Sequence, residues 1–144
     1  MGRPTDYSLE LAAAICERIA DGQSLKSICL SEEMPCKSTV YLWLARDNVF
    51  LDMYTRARED QADTLADEII DIADDGARDY IKQEDGREVV DYDHITRSRL
   101  RVDARKWVAA KLKPRKYGDR IEQHHSGEVT LSQLIKQSID APTQ

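Results

Sequence analysis

The chain has 144 residues and a mass of 16.5 kDa, with 27 Asp and Glu against 21 Lys and Arg, for a formal net charge of −6. One third of the residues are charged and 6% are aromatic, which allows one ordinary domain or two very small ones and excludes a single thick core. An acidic total also excludes nucleic-acid attraction by overall charge, so any such contact must rest on local patches.

The longest uncharged apolar run, Leu11 to Cys16, is far short of the roughly 20 residues that cross a bilayer. The start, Met1 to Asp6, lacks the apolar core of a secretory signal. Cys16, Cys29 and Cys36 are an odd set without a Cys-x-x-Cys pair and are far in sequence from His124 and His125. They are expected as reduced thiols, the first two buried among apolar neighbours, with no metal held.

Three short helices are expected in residues 1–47. Ser8 to Asp21 places Leu9, Ala12, Ala13, Cys16, Ile19 and Ala20 at helical spacing, and Gly22 stops it. Ser24 caps a second helix with Leu25, Ile28 and Cys29 as its stripe, and Glu32 to Pro35 break it. Lys37-Ser38-Thr39 opens a third, with Val40, Trp43 and Leu44 inward and Leu42 outward. This is the arrangement of a helix-turn-helix, although the same spacing also suits an ordinary three-helix cap. In the first reading the third helix enters a major groove. The candidate DNA contacts are then Lys37, Ser38, Thr39 and Tyr41, with Lys26 on the second helix, Arg46 at the far end and Arg3 as a minor-groove arm.

Residues 48–120 are expected as a helical oligomerisation core. Val49 to Asp75 reads as one long helix with a stripe of Phe50, Met53, Tyr54, Ala57, Leu65, Ile69, Ile72 and Ala73, and a crowded, solvated acidic face. A small β-hairpin follows at about 80–92, turning at Asp85-Gly86. Residues 95–112 form a helix with two apolar sides, Leu100, Ala104 and Trp107 on one and Ile95, Val102 and Ala109 on the other. One side can be covered by the long helix and the other requires a second subunit. The charge reverses here. Residues 48–93 hold fifteen acidic and five basic side chains, whereas residues 97–120 hold ten basic and two acidic. The row Arg97, Arg101 and Arg105 is expected to pair with the acidic helix. Beyond Pro114, Arg115, Lys116 and Arg120 are expected in a basic turn, free for phosphates or a partner. Candidate oligomerisation residues are Leu65, Ile69, Ile72, Leu100, Arg101 and Trp107. The tail, 121–144, is expected as a short helix capped by Thr130 or a strand through Val129 and Leu131, and Leu131, Leu134 and Ile135 are its candidate docking residues.

Three segments together carry a family resemblance. They are Gly2-Arg3-Pro4-x-Asp6-Tyr7; Met34-Pro35-x-Lys37-Ser38-Thr39-Val40-Tyr41-x-Trp43-Leu44; and Arg97-Ser98-Arg99-Leu100-Arg101-Val102-Asp103-x-Arg105-Lys106-Trp107, followed by Pro114-Arg115-Lys116-Tyr117-Gly118-Asp119. Over about residues 2–120 the chain resembles the terminase small subunits of tailed double-stranded-DNA phages. The residues read as a mainly all-α fold, and the two-faced helix with so small a core predicts an assembly larger than a tetramer; the resemblance implies that it is a closed ring with DNA-binding domains on its rim. It also implies recognition of viral DNA in the host cytoplasm and delivery to the terminase large subunit, which supplies ATPase and nuclease. The chain itself has no P-loop and no nucleophilic constellation, so neither enzymatic activity nor a cofactor is expected. A dimeric helix-turn-helix transcription regulator is the alternative from another class, and a nuclease or recombinase subunit is a third.

Overall fold

The computed structural model describes residues 2–120 together with 135 and 136. It is mainly helical, in the order α1 (Leu9–Ala20), α2 (Leu25–Ile28), α3 (Lys37–Arg46), α4 (Asn48–Asp74), β1 (Tyr80–Lys82), β2 (Glu88–Val90), α5 (Tyr92–Leu112) and α6 (Pro114–Tyr117).

Ser8 opens α1 as its N-cap, its hydroxyl accepting from the Leu11 amide at 3.2 Å. The helix ends in a Schellman turn. The Gly22 amide donates to the Ile19 carbonyl and the Gln23 amide to that of Arg18, with Gly22 at a φ of 97° that disfavours any Cβ. Its buried side is Ala12, Ile15, Cys16 and Ile19. Leu9 and Ala13 face outward, so the apolar stripe is centred on Ile15 rather than on the helix start. Ser24 caps α2, which is a single turn.

The core of the N-terminal unit does not end with α3. Phe50 and Ala57 of α4 complete it, packed with Ile15, Ile19, Ile28, Val40 and Trp43. Burying a side chain such as Phe50, which is fully enclosed, is worth about 1.5–3 kcal/mol. Around it Tyr7 and Trp43 meet edge to face, with centroids 5.4 Å apart, and Tyr54 meets Phe50 at 6.2 Å. Asp47 caps α4, its carboxylate accepting from the Phe50 amide at 3.0 Å. Further along α4, Ala73 is exposed, and Gln61 and Ala62 join the buried side.

The strands pair antiparallel, with Tyr80 opposite Val90 and Lys82 opposite Glu88. The turn is a three-residue loop in which Gly86, at a φ of 85°, donates to the Gln83 carbonyl. Asp91 then caps α5, accepting from the His94 amide at 3.0 Å, so the helix starts within the segment expected as hairpin. Helix α5 runs back antiparallel to α4, placing Arg105 opposite Glu68 and Lys113 opposite Asp63. The basic turn expected beyond Pro114 begins instead as a further helical turn, α6, with Pro114 at its first position. No helix among the described residues is long and apolar enough to cross a membrane.

Candidate nucleic-acid interface

Helix α3 divides cleanly into two sides. Val40 and Trp43 are buried, while Lys37, Ser38, Tyr41, Leu42, Ala45 and Arg46 form an outward stripe at i, i+1, i+4, i+5, i+8 and i+9. The Lys37 ammonium lies over the Tyr41 ring at 5.6 Å from its centroid, a cation–π contact that pre-orders both side chains. Thr39 is half-buried, Tyr41 is 52% exposed and Leu42 is 46% exposed. Arg46 sits in the last turn, and Lys26 is exposed on α2.

The N-cap of α3 is Cys36. Its sulfur is 3.1 Å from the Ser38 hydroxyl and 3.0 Å from that of Thr39, and these contacts lower the thiol from its ordinary value of 9.0 to about 7. Burial pushes the Cys29 thiol up, an effect partly offset by the positive charges of Arg3, Lys37 and Arg18. Tyr7 anchors the arm that carries Arg3 by packing against Trp43 and Phe50. Burial first, and then the Asp47 carboxylate, raise the Tyr7 hydroxyl above its ordinary value.

The second basic region is disposed otherwise. Of the row Arg97, Arg101 and Arg105, only Arg105 pairs, its Nε donating to Glu68 at 2.5 Å. Arg97 and Arg101 are exposed and make no ion pair among the described residues, which corrects the expectation of a fully paired row. Lys116 is not free as expected. It donates to Asp63 at 2.8 Å, beside Lys113 at 2.9 Å and the Tyr117 hydroxyl at 2.6 Å. These donors hold the Asp63 carboxyl well below the usual carboxylate range, Lys116 contributing most, and Asp63 in turn raises Lys116. Arg115 and Arg120 are exposed.

Among the candidate oligomerisation residues, Leu65 and Ile72 are buried and Ile69 is half-buried between α4 and its neighbours. Ala109 and Val102 turn inward with them, whereas Leu100 is 57% and Trp107 65% exposed. Ile135 is exposed, and Leu131 and Leu134 lie outside the described residues. No cluster of three His, Cys, Asp or Glu side chains among the described residues is placed to hold a metal ion.

Sequence reasoning missed Gln61, the one polar residue in the buried set among the described residues. A signal for it exists: it interrupts the apolar stripe four residues after Ala57 and four before Leu65. Nothing in the spacing marks Asp63 apart from its acidic neighbours.

The fold defines a class: a mainly helical subunit whose three-helix head presents an outward basic helix, carried on a long antiparallel helical pair with a small hairpin at one end. Residues 7–124 match the family described as Bacteriophage Sf6, terminase small subunit-like, and the chain belongs to that family, whose members serve phage DNA packaging. Crystal structures of three variants of the terminase small subunit gp1 of the bacterial virus Sf6 are similar to it. All are 40% identical to it and cover 88% of it. One reaches a TM-score of 0.66 over 93% of its own chain, and the others 0.68 and 0.67 over 88% of theirs. No curated protein matches the chain. Terminase small subunits are in general non-catalytic DNA-binding subunits.

Proposed function

We propose that the chain is a non-enzymatic, ring-forming terminase small subunit that recognises phage DNA inside the host cell and hands it to the terminase large subunit. The observation that carries this reading is the outward stripe of α3, with Lys37, Ser38, Tyr41 and Arg46 exposed, and Arg3 is exposed on the arm that Tyr7 anchors against Trp43. Residue types that bind phosphates and base edges stand together on the helix that a helix-turn-helix inserts into a major groove. Ring assembly is supported by the uncovered side of α5, where Leu100 and Trp107 remain in solvent. The tail beyond residue 120, with Leu131, Leu134 and Ile135, is proposed to serve assembly or large-subunit docking. Family membership does not favour the two-fold transcription regulator.

Few basic residues stand on the head of an acidic subunit, so binding per subunit is weak and a ring raises it by avidity. Titrating labelled duplex DNA by fluorescence anisotropy across a salt series tests the assignment. Lys37→Ala and Arg46→Ala are each expected to weaken binding and to lower the slope of log affinity against log salt by about 1. An unchanged affinity and slope in both variants would remove α3 from the DNA surface.

A further inference from the structure

A polar contact joins the head to the long helical pair at the α1–α2 turn. The Schellman turn at the end of α1 leaves the carbonyls of Ala20 and Gln23 outside the helical hydrogen bonds, and α4 supplies both missing donors. The Thr64 hydroxyl donates to the Ala20 carbonyl at 2.7 Å, and the Gln61 amide nitrogen donates to the Gln23 carbonyl at 3.1 Å. Gln61 is 4% exposed, and its amide oxygen accepts from Arg58 at 2.9 Å. Arg58 is itself held by the Tyr54 hydroxyl and lies against the Tyr54 ring. One turn beyond Thr64, Glu68 passes close to Gly22 and accepts from Arg105 of α5.

We propose that Gln61 and Thr64 are positioning residues, forming a latch on the α1–α2 turn that sets the orientation of α2 and α3 relative to α4 and α5. The chemistry favours a fixed angle. A buried amide with all its partners in one geometry loses them together if the head rolls, and an unpaired buried polar group is costly. Apolar packing around Phe50 holds the head on α4 but is not directional, whereas the two carbonyl contacts define direction. The same side of α4 also meets α5, where Glu68, close to Gly22, accepts from Arg105.

The consequence for DNA binding rests on the proposed function. In a ring, several α3 stripes engage one duplex together only if every head points the same way, since avidity is lost when geometry forbids simultaneous contact. The latch therefore acts on multivalent binding and not on the contact made by one head.

Gln61→Met removes the donor and acceptor while keeping length, Thr64→Val removes the hydroxyl at constant shape, and Thr64→Ser restores it. Spin labels at Ala45 of α3 and Lys106 of α5 read the angle without DNA. The expected result is a distance distribution at least twofold broader in Gln61→Met and Thr64→Val than in the wild type, with Thr64→Ser restoring the narrow one. Helical content and assembly mass are expected to stay unchanged. With DNA, the same two variants are expected to lose fivefold or more in affinity for a long duplex, while a duplex short enough for one head binds as before. Unchanged distance distributions in both variants would overturn the latch. So would loss of folding in both, since the contacts would then be ordinary core. If the wild type binds neither duplex, the proposed function fails while the distance measurement still decides the latch.

Discussion

Cys36 stands where α3 begins, with its sulfur within reach of two hydroxyls and its thiol at about 7. Cys16 and Cys29 differ only in surroundings: burial pushes both thiols above 9.0. Because the thiolate is the nucleophile, iodoacetamide is expected to modify Cys36 with a rate that climbs through neutral pH and reaches half its plateau near 7. Cys16 and Cys29, whose thiols burial pushes up, are expected to react more slowly than Cys36 throughout. Peptide mapping by mass spectrometry over pH 6 to 10 measures all three, and equal rates would contradict the assignment. The pattern in sequence separated buried from exposed positions well where a stripe was continuous, as at Ile19, Ile28, Val40 and Trp43. It failed at single residues whose role depends on a partner far along the chain. Gln61 meets Gln23 and Asp63 meets Lys116 only once α4 lies against α1 and α6, and no local period encodes either meeting.

At the scale of elements, periodicity made most helices legible, together with the cap at Ser24 and the stop at Gly22; the caps Ser8 and Asp47 emerge only in the structure. The second half resisted because one signal has two meanings. Pro114 ends α5 and also opens α6, since proline suits a first helical turn. Arginines spaced four apart do share a face, but the depth of each against α4 decides which meets a carboxylate, and only Arg105 does. Helix α6 is held by Asp63, which gathers Lys113, Lys116 and Tyr117. Asp63→Asn is expected to release α6, seen as faster hydrogen exchange at the Tyr117 and Gly118 amides, with α1 to α3 unaffected. The pH dependence has a definite sign. Asp63 is lowered from 3.8, so its contribution is complete above about pH 4 and is lost as the pH falls toward the depressed value. Lys116 is raised from 10.5, so its share is complete below that value and is lost as the pH rises past it. Protection of α6 that stayed constant from pH 6 to 2.5 would show that Asp63 does not hold it.

For the whole molecule, the decisive question is what covers α5. Its inward side is closed by α4 within the subunit, through Ala109 and Val102. Its outward side carries Leu100, Trp107, Arg97 and Arg101, all exposed, and neither arginine makes an ion pair among the described residues. An apolar pair flanked by unpaired arginines suits a surface that is itself acidic and partly apolar. The outer face of α4 offers one, with Asp67, Ile70 and Asp74 all exposed. A contact from α5 of one subunit to α4 of the next is head-to-tail, and such contacts close into rings when the rotation per subunit divides the circle. Trp107→Ala is therefore expected to leave each subunit folded, because a side chain 65% exposed contributes little to its own chain's stability. In assembly the same change removes a large aromatic anchor, of the kind that costs about 2 kcal/mol or more at an interface centre. Native mass spectrometry should then show the proposed ring reduced to monomers or small fragments at micromolar concentration, with helical content unchanged. Arg101→Ala, which breaks no ion pair among the described residues, should also spare folding and weaken the proposed ring, more visibly at low salt, where charge pairs are least screened. A wild-type mass for Trp107→Ala would place the subunit contact elsewhere. An intact ring that loses DNA on Arg101→Ala would move the DNA surface from α3 to α5.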